Sequence, residues 1–408
     1  MTRVMQGVRV LELAQFMFAP SAGALLADWG ADVIKIEHPV HADGQRGFLR
    51  WGGSTYDPDR NPLVEGANRG KRSIGLDIAT PEGRALLLEL AATADVFLTN
   101  FLPAVRQKLQ IDVEHIRAAK PQIIYARASA YGDKGSDRER GGFDGTAFWS
   151  NSGIAHALSP AELDAPLTSS IGGFGDMISG MNLAGGIAAA LFHRSQTGEA
   201  TEVDVSLMSS AWWASSASLN AAVYSGQAVR PAMPRSGGSS ANPFIGQFKT
   251  SDGGAISLFI MQPGPHIRNT FEHVGRPDLA GDPRFTDAFA LFENWEAASQ
   301  ALVEAFASRP LDAWRSRLQT LSGQWAAVQS FVDLAKDPQA LANDMLFEVQ
   351  PPDGGEALRL ARGPVQFNGE PVATTRAPQP WEHTEQVLQE LGLSWDRIGS
   401  LKAKGAIP

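Results

Sequence analysis

Short apolar runs and longer helical stretches alternate along the first 130 residues of the chain. Residues 8–13 and 32–37 are short runs rich in valine, isoleucine and leucine, and the small residues of 19–29 lie between them. Short apolar runs separated by helical stretches are typical of parallel strands with helices packed on the sheet. The first 37 residues therefore predict a βαβ unit.

The alternation continues beyond residue 70. Residues 73–78, 95–100 and 122–126 are further strand candidates. Residues 80–83 (Thr-Pro-Glu-Gly) supply the capping threonine, the proline and the acidic residue that favour a helix start. The repeated pattern predicts a doubly wound α/β sheet that binds its ligands at the carboxyl ends of the strands.

The chain changes character after residue 130, where glycine, serine and aromatic residues become frequent. The pattern predicts a large domain that begins with residues 1–214 and a linker or mobile loop at 215–246, which is rich in Ser, Ala, Gly and Pro. A small α+β domain is expected at 247–330. Residues 331–408 then return to complete the large domain.

Composition and charge exclude several kinds of chemistry but say less about the fold. The 408 residues include 35 Lys+Arg and 44 Asp+Glu, a net charge of −9, so nucleic acid is not an expected partner. The chain has no cysteine, which excludes disulfides, thiolate metal sites and a cysteine nucleophile. Covalent chemistry would therefore use an oxygen or nitrogen side chain.

Membrane insertion and several common enzyme classes are not expected either. The apolar stretch 16–27 has 12 residues, whereas a membrane span needs about 20, so we expect a soluble, cytoplasmic protein. No G-x-x-x-x-G-K-[ST], post-strand G-x-G-x-x-G or G-x-S-x-G motif occurs. His38, His41 and Asp43 form the only histidine cluster, and their spacing matches no zinc pattern, so no metal is expected.

Several stretches, taken in order over nearly the whole chain, resemble the class III CoA-transferase family, which includes formyl-CoA transferase. They are residues 7–13, 19–20, 26–37, 68–77, 80–84, 94–96, 100–101, 175–176, 179–181, 194–198, 377–378, 382–384, 387–388, 390–393 and 401–404. The resemblance implies a Rossmann-like large domain built from both ends of the chain, a smaller α+β domain and an interlocked homodimer.

The resemblance implies that Asp176, in a Gly-Asp pair at a helix start, is the catalytic residue. It would attack an acyl-CoA, form an anhydride and then an aspartyl-CoA thioester, and pass CoA to a second carboxylate. The residues alone leave open that Asp176 is simply a helix cap. A carboxylate at a helix N-terminus is favoured in its charged form, so we expect the pKa of Asp176 to lie at or below about 3.9.

The resemblance also implies the residues that bind CoA, which arrives as a substrate, with no cofactor permanently bound. They are Met17, Phe18, His38, Leu76, Ala79, Asn100, Phe101, Lys108, Arg140, Phe143 and Asp144. His38 and Lys108 stand where the family carries arginine, and Arg46, Lys71 and Arg72 are additional candidate charges. Gly237 and Gly238 match the glycine-rich loop that closes over the intermediate and would act as its oxyanion site.

The expected partners are an acyl-CoA and a carboxylic acid. Met17, Phe18 and Phe143 favour an apolar, medium-to-large acyl group over a small dicarboxylate such as oxalate, because formyl-CoA transferase has a polar glutamine where this chain is apolar.

Two alternatives remain at this point. An α-methylacyl-CoA racemase has the same fold, but it needs proton-transfer groups where this chain has Phe143 and Gln262. The second alternative is a protein that binds acyl-CoA without catalysis.

Overall fold

A computed structural model describes residues 2–169, 171–228, 230–372 and 374–408. The chain divides into two compact units. The first unit combines Met1–Pro231 with Gln339–Pro408, and the second unit is Ala232–Pro338. The first unit therefore contains both the beginning and the end of the chain.

The strands, in chain order, are β1 (Arg9–Leu13), β2 (Asp32–Glu37), β3 (Arg50–Trp51), β4 (Ser54–Thr55), β5 (Arg72–Gly75), β6 (Val96–Thr99), β7 (Ile124–Ser129), β8 (Glu202–Ser206), β9 (Gly237–Gly238), β10 (Ile245–Lys249), β11 (Ala255–Phe259), β12 (Trp325–Ala327), β13 (Leu346–Val349) and β14 (Leu358–Ala361).

The α-helices, in chain order, are α1 (Phe18–Asp28), α2 (Pro62–Asn68), α3 (Pro81–Thr93), α4 (Pro103–Leu109), α5 (Val113–Ala119), α6 (Ile154–Leu158), α7 (Phe174–Thr197), α8 (Leu207–Ala214), α9 (Ser216–Ser225), α10 (Ile267–His273), α11 (Ala288–Glu293), α12 (Trp295–Ala307), α13 (Leu311–Arg317), α14 (Phe331–Leu334), α15 (Pro338–Ala342), α16 (Thr384–Glu390) and α17 (Trp395–Ala403).

The first unit is built on a six-stranded sheet in the order β5-β2-β1-β6-β7-β8. Every neighbouring pair in this sheet is parallel. The predicted mixed α/β fold with a parallel central sheet is therefore confirmed. The strand order reverses direction at β1, and ligands of such sheets bind beside the reversal, at the carboxyl ends of the strands.

Both faces of this sheet are covered, as the apolar character of its strands requires. Val10 and Leu11 are neighbours on β1 and are both fully buried, but they belong to different apolar clusters, one on each face. Val96 and Phe97 on β6 divide in the same way. Because successive side chains of a strand point to opposite faces, a run of consecutive apolar residues marks a strand that is buried on both sides.

Helices α1 and α7 pack closely on one face of the sheet. A methyl group placed on Gly180 of α7 would lie 1.9 Å from the Ser21 hydroxyl of α1, so glycine permits this close approach. On the other face, Val387 and Ile407 of the C-terminal return pack with Leu87 of α3. The start of α7 is thus held by buried packing at a short distance from the end of β1.

The second unit has the antiparallel sheet order β12-β11-β10-β9 and an aromatic core that includes Phe248, Phe271, Phe306 and Trp314. Part of the predicted linker at 215–246 is regular structure rather than loop. Its first part is α9, because residues 216–225 contain no proline or glycine, and Gly226 ends the helix at a φ of 67°.

Candidate active site

The carboxylate of Asp176 lies in the first turn of α7. The residue before this helix, Gly173, has a φ of 66°, in the left-handed region that favours glycine. A side chain at Gly173 would also lie 2.8 Å from the Met17 sulfur. Glycine at this position therefore allows α7 to begin beside the turn that follows β1, and it brings Asp176 to the carboxyl end of the sheet.

A second carboxylate, Asp144, lies beside Asp176. Asp144 begins a π-helical turn (Asp144–Ser150) and is buried, and its Oδ2 accepts a hydrogen bond of 3.1 Å from the backbone N–H of Gly175. No hydrogen bond reaches its Oδ1 from the described residues. Burial raises the pKa of Asp144, although the backbone N–H groups of Gly175 and Asp176 act in the opposite direction.

Burial raises the pKa of Asp176 to about 7, and the negative charge of Asp144 adds to the effect. The prediction that the helix N-terminus would keep this pKa at or below its ordinary value is therefore wrong. Removal from water outweighs the helix dipole, because a charge in the interior loses far more solvation than the dipole returns. Near neutral pH Asp176 exists in both its protonated and its charged form.

Asp176 borders two cavities. The larger, of about 550 Å³, lies at the carboxyl ends of β1, β6 and β7. It is lined by Gln15, Phe16, Phe18, Asn100, Phe101, Leu102, Val105, Ala128, Ser129, Ala130, Gly141, Gly142, Phe143, Thr146, Asp176 and Leu207. The smaller, of about 270 Å³, is lined by Phe16, Met17, Gln45, Phe48, Trp51, Leu63, Phe143, Asp144, Gly145, Gly172, Gly173 and Asp176. The partly buried Asp176 carboxylate thus stands between the larger cavity and a smaller, largely apolar one.

A third cavity, of about 250 Å³, lies at the carboxyl ends of β1, β2 and β5. It is lined by Leu13, Ala14, Gln15, Ile36, Glu37, His38, Ala42, Asp43, Leu76, Asp77, Ile78, Ala79, Phe101 and Leu109. Gln15 and Phe101 line both this cavity and the larger one. The strand ends of β1, β2, β5, β6 and β7 therefore carry a series of adjoining cavities that leads to Asp176.

The structure brings most of the residues predicted from the sequence to these cavities. Phe18, Asn100, Phe101 and Phe143 line the larger cavity, and Met17, Phe143 and Asp144 line the smaller one. His38, Leu76, Ala79 and Phe101 line the third cavity.

Two predicted residues of the first unit, Lys108 and Arg140, line none of these cavities. Lys108 is an exposed residue of α4, and exposed Arg140 pairs with Asp137 and lies over the Tyr131 ring. Gly237 and Gly238 form β9 of the second unit. The N–H of Gly238 donates to the Ser299 hydroxyl at 2.8 Å, so it is not available to an oxyanion.

The additional candidate cations are engaged within the protein. Arg46 makes an ion pair with Glu37, and Arg72 makes ion pairs with Asp32 and Glu390. Lys71 is fully buried, and its Nζ lies 2.8 Å from Glu12. Buried lysine is expected to have an internal counter-ion, and Lys71 is therefore not placed to contact a phosphate from solvent.

Asn100 has a function that the sequence did not indicate. Its side-chain oxygen accepts from the Gln15 N–H at 3.1 Å, and its nitrogen donates to the Gln15 carbonyl at 2.8 Å. Asn100 therefore holds the turn after β1 as well as lining the larger cavity. Sequence reasoning missed Phe48, Trp51 and Leu63, because single apolar residues in loops and short elements carry no periodic signal.

The described residues contain no group of three or more His, Asp or Glu side chains arranged to hold a metal ion. Over the same ranges, no helix is both long enough and apolar enough to cross a bilayer.

Comparison with known proteins gives a consistent picture. Residues 5–384 match CoA-transferase family III. The chain is 32% identical to (R)-2-hydroxy-4-methylpentanoate CoA-transferase of Clostridioides difficile, over 98% of each protein. It is also 32% identical to cinnamoyl-CoA:phenyllactate CoA-transferase of Clostridium sporogenes, over 98% of this chain and 96% of the relative. A solved CAIB/BAIF family protein from Brucella suis superposes with a TM-score of 0.81 at 26% identity, covering 96% of this chain and all of that structure.

The raised pKa of Asp176 predicts a pH-dependent cost to stability. An acid whose folded-state pKa is higher than its unfolded-state value holds its proton more tightly when folded, so its ionisation destabilises the fold as pH rises from about 4 to about 7. Asp176→Asn removes that charge. We expect it to raise the free energy of unfolding by about 2–4 kcal/mol at pH 8, and by less at pH 5.

Urea unfolding of both proteins at the two pH values measures this effect. Asp396→Asn, at an exposed position on α17, is the matched control and should change stability little at either pH. An Asp176→Asn gain that is absent, or that does not grow with pH, would contradict the proposed state of Asp176.

Proposed function

This chain belongs to CoA-transferase family III, and we propose that it moves CoA from an acyl-CoA to a free carboxylic acid through covalent intermediates on Asp176. One observation supports this most strongly. The Asp176 carboxylate borders both the larger cavity, of about 550 Å³, and the smaller, apolar cavity. A nucleophile at that border can meet a thioester whose two halves lie on either side of it.

The proposed reaction begins when a carboxylate oxygen of Asp176 attacks the thioester carbonyl. The carbon–sulfur bond breaks, CoA leaves as a thiolate, and a mixed anhydride remains on Asp176. The thiolate then attacks the aspartyl carbonyl of the anhydride, which releases the first carboxylic acid as its anion and leaves an aspartyl-CoA thioester. This exchange stores the thioester on the protein without a cysteine.

The second half repeats the chemistry in reverse. The acceptor carboxylate attacks the aspartyl-CoA carbonyl, and CoA leaves again as a thiolate while a second anhydride forms. The thiolate attacks the acceptor's acyl carbon, which gives the new acyl-CoA and restores the Asp176 carboxylate. No net proton is gained or lost, because each step exchanges one carboxylate or thiolate for another.

The neighbouring carboxylate favours the covalent intermediates. Asp176 is charged when it attacks and uncharged as an anhydride or thioester, because its negative charge passes first to the CoA thiolate and then to the released carboxylate. Poor solvation of Asp176 and repulsion from Asp144 raise the free energy of the starting state. Departure of the released carboxylate from the site therefore relieves this electrostatic cost and favours the aspartyl-CoA thioester.

We place CoA along the adjoining cavities. The nucleotide part would occupy the third cavity near His38, Leu76 and Ala79, and the pantetheine arm would pass Phe101 into the larger cavity. This direction is supported by the rule that parallel sheets bind nucleotides beside the point where the strand order reverses, here at β1. The same strand order supports a Rossmann-like description of the first unit. Lys108 would contact the CoA phosphates only at the solvent-exposed end of the third cavity.

The acyl group is proposed to enter the smaller cavity. Four aromatic rings, Met17 and Leu63 line its walls, which suits an aromatic or branched aliphatic acid better than a small dicarboxylate. Two relatives are named for phenyllactate and 2-hydroxy-4-methylpentanoate, and these acids carry an aromatic and a branched aliphatic group. We therefore propose apolar acids of similar size as donors and acceptors.

We also propose that the active protein is an interlocked homodimer. Phe192, Trp213 and Tyr224, in helices α7 to α9, have 68%, 76% and 94% of their surfaces exposed in the single chain. Large aromatic side chains exposed on adjacent elements favour a surface that is covered by another chain.

Replacing the nucleophile tests the reaction directly. Asp176→Ala should reduce CoA exchange between 3-phenylpropanoyl-CoA and phenyllactate by at least about 1,000-fold, since no other group can take over the covalent step. The affinity for CoA should remain within about threefold, because Asp176 contacts only the reacting end. Mass spectrometry of the thioester products and calorimetry with CoA measure the two quantities.

Retained exchange in Asp176→Ala would rule out the covalent path. Deuterium entering the α-carbon of a 2-methylacyl-CoA in heavy water would favour a racemase instead, and acyl-CoA binding without exchange by the unaltered protein would favour a binding role.

The pH dependence of exchange follows from the same group. Only the charged form of Asp176 attacks, so kcat/KM should fall with unit slope as pH decreases below about 7. Asp144→Asn removes the like charge and should shift this fall in kcat/KM to lower pH, while burial keeps the pKa of Asp176 above its ordinary value. The Asp396→Asn control should leave the pH dependence unchanged. An unchanged pH dependence in Asp144→Asn would show that the two carboxylates do not interact.

A further inference from the structure

Four charged side chains are buried together beneath the turn that joins β1 to α1. They are Glu12, Lys35, Asp43 and Lys71, and each side chain is at most 1% exposed. Lys35 Nζ lies 2.8 Å from Asp43 and 3.2 Å from Glu12, and Lys71 Nζ lies 2.8 Å from Glu12. No step of the proposed reaction uses these groups, and none of them borders either cavity that contains Asp176, although Asp43 lines the third cavity.

Asp43 is the member of this cluster that reaches the substrate cavity through its neighbours. Its Oδ1 accepts the backbone N–H of Phe16 at 3.0 Å and that of Gln45 at 2.9 Å. Gln45 in turn donates from Nε2 to the Leu63 carbonyl at 2.8 Å. Phe16, Gln45 and Leu63 all line the smaller cavity. One carboxylate oxygen therefore connects separate walls of the proposed acyl site.

The connection to Phe16 matters because its backbone is strained. Phe16 has a φ of 65°, in the left-handed region that residues other than glycine rarely adopt. The residues before it are held in the same way, since Lys35 donates to the Ala14 carbonyl at 2.8 Å and Asn100 binds both backbone groups of Gln15. Side chains from neighbouring segments thus hold each residue of this turn up to Phe16.

The strained backbone places the Phe16 ring at the border of the two cavities. Only Phe16, Phe143 and Asp176 line both of them among the described residues. The rings of Phe16 and Phe143 meet edge to face with centroids 5.2 Å apart, and Phe48 lies 6.2 Å from Phe16 on the other side. The position of the Phe16 ring therefore decides how much room an acyl group finds beside Asp176.

We propose that the buried Lys35–Asp43 ion pair is a positioning device that sets acyl selectivity, because it fixes the Phe16 ring at the wall of the acyl cavity. The inference rests on the proposed function of the Asp176 site. Neither Lys35 nor Asp43 touches the acyl group. Their effect on it passes through the backbone of Phe16 and Gln45.

The charge of Asp43 suits this role. Burial opposes its ionisation, but the Lys35 ammonium and the backbone N–H groups of Gln45 and Phe16 together outweigh burial and hold the pKa of Asp43 below its ordinary value. The group therefore remains a carboxylate, whose oxygens can only accept hydrogen bonds, as two backbone N–H donors and one ammonium require. An asparagine would point an NH₂ group or a weaker acceptor at one of these three donors.

Asp43→Asn tests the proposal. With phenyllactate as acceptor, we expect kcat/KM for 3-phenylpropanoyl-CoA to fall at least about 10-fold, and its ratio to that for acetyl-CoA to fall at least about fivefold, because the ring no longer has a fixed position. Asp43 also lines the third cavity, where the CoA nucleotide is proposed to bind, so the ratio is the deciding measurement: both substrates carry the same CoA, and an effect on CoA binding alone leaves the ratio unchanged.

Asp28→Asn is the matched control. Asp28 is also buried, on α1, and forms an ion pair of 2.7 Å with Arg69, but it lines none of the cavities around the site. Loss of either pair should lower the melting temperature, whereas only Asp43→Asn should change the selectivity ratio. An equal change of the ratio in both variants would reduce the Lys35–Asp43 pair to a general structural role and overturn the proposal.

A double-mutant cycle with Phe16→Ala shows whether Asp43 acts through the ring. If it does, Asp43→Asn will change the selectivity ratio little once the ring is gone, and the two effects will be non-additive. Full additivity would contradict the proposal. If Asp43→Asn does not fold, Lys35→Met in the same cycle tests the same ion pair, with the same two outcomes. Absence of exchange in the unaltered protein would refute the proposed function instead, and the two failures are thus distinguishable.

Discussion

The burial of one carboxylate, Asp176, beside a second, Asp144, is the constraint on which the rest of the site depends. Ionised carboxylates are costly to remove from water, and the cost grows when two of them share a pocket. Here the pKa of Asp176, the proposed nucleophile, is raised to about 7. In the proposed reaction a covalent bond to Asp176 removes its charge, so the electrostatic cost favours the aspartyl-CoA thioester over the free carboxylate.

The remainder of the first unit keeps this unfavourable arrangement in place. Gly173 and Gly180 let α7 begin beside the β1 turn and pack against α1, and the sheet beneath is buried on both faces. The turn itself is held by Asn100 and by the Lys35–Asp43 pair. In the proposed reaction, one set of buried charges fixes the walls of the site, and a separate pair of carboxylates, Asp144 and Asp176, carries the chemistry.

The sequence pattern was sufficient for the parallel sheet and for the edge at which the site lies. Val10-Leu11 and Val96-Phe97-Leu98 are apolar at consecutive positions, which is typical of strands buried on both faces, and Leu13 and Asn100, at the ends of these strands, line the cavities. The sequence pattern was insufficient for interactions between side chains that are far apart along the chain. Nothing local to Arg46 or Lys71 indicates that each is held by an internal carboxylate, and nothing local to Phe16 indicates a φ of 65°. The predicted pKa of Asp176 was wrong for the same reason. A helix start can be recognised from neighbouring residues, but burial beside Asp144 cannot.

The most direct test of the account is the chemical state of Asp176 during the reaction. The protein is mixed with 3-phenylpropanoyl-CoA in the absence of an acceptor, quenched in acid, and analysed by intact mass and peptide mapping. The account predicts CoA attached through a thioester to the peptide that contains Asp176, removable by hydroxylamine and absent in Asp176→Ala. Turnover with no covalent CoA on the protein, or CoA attached to another residue, would contradict it.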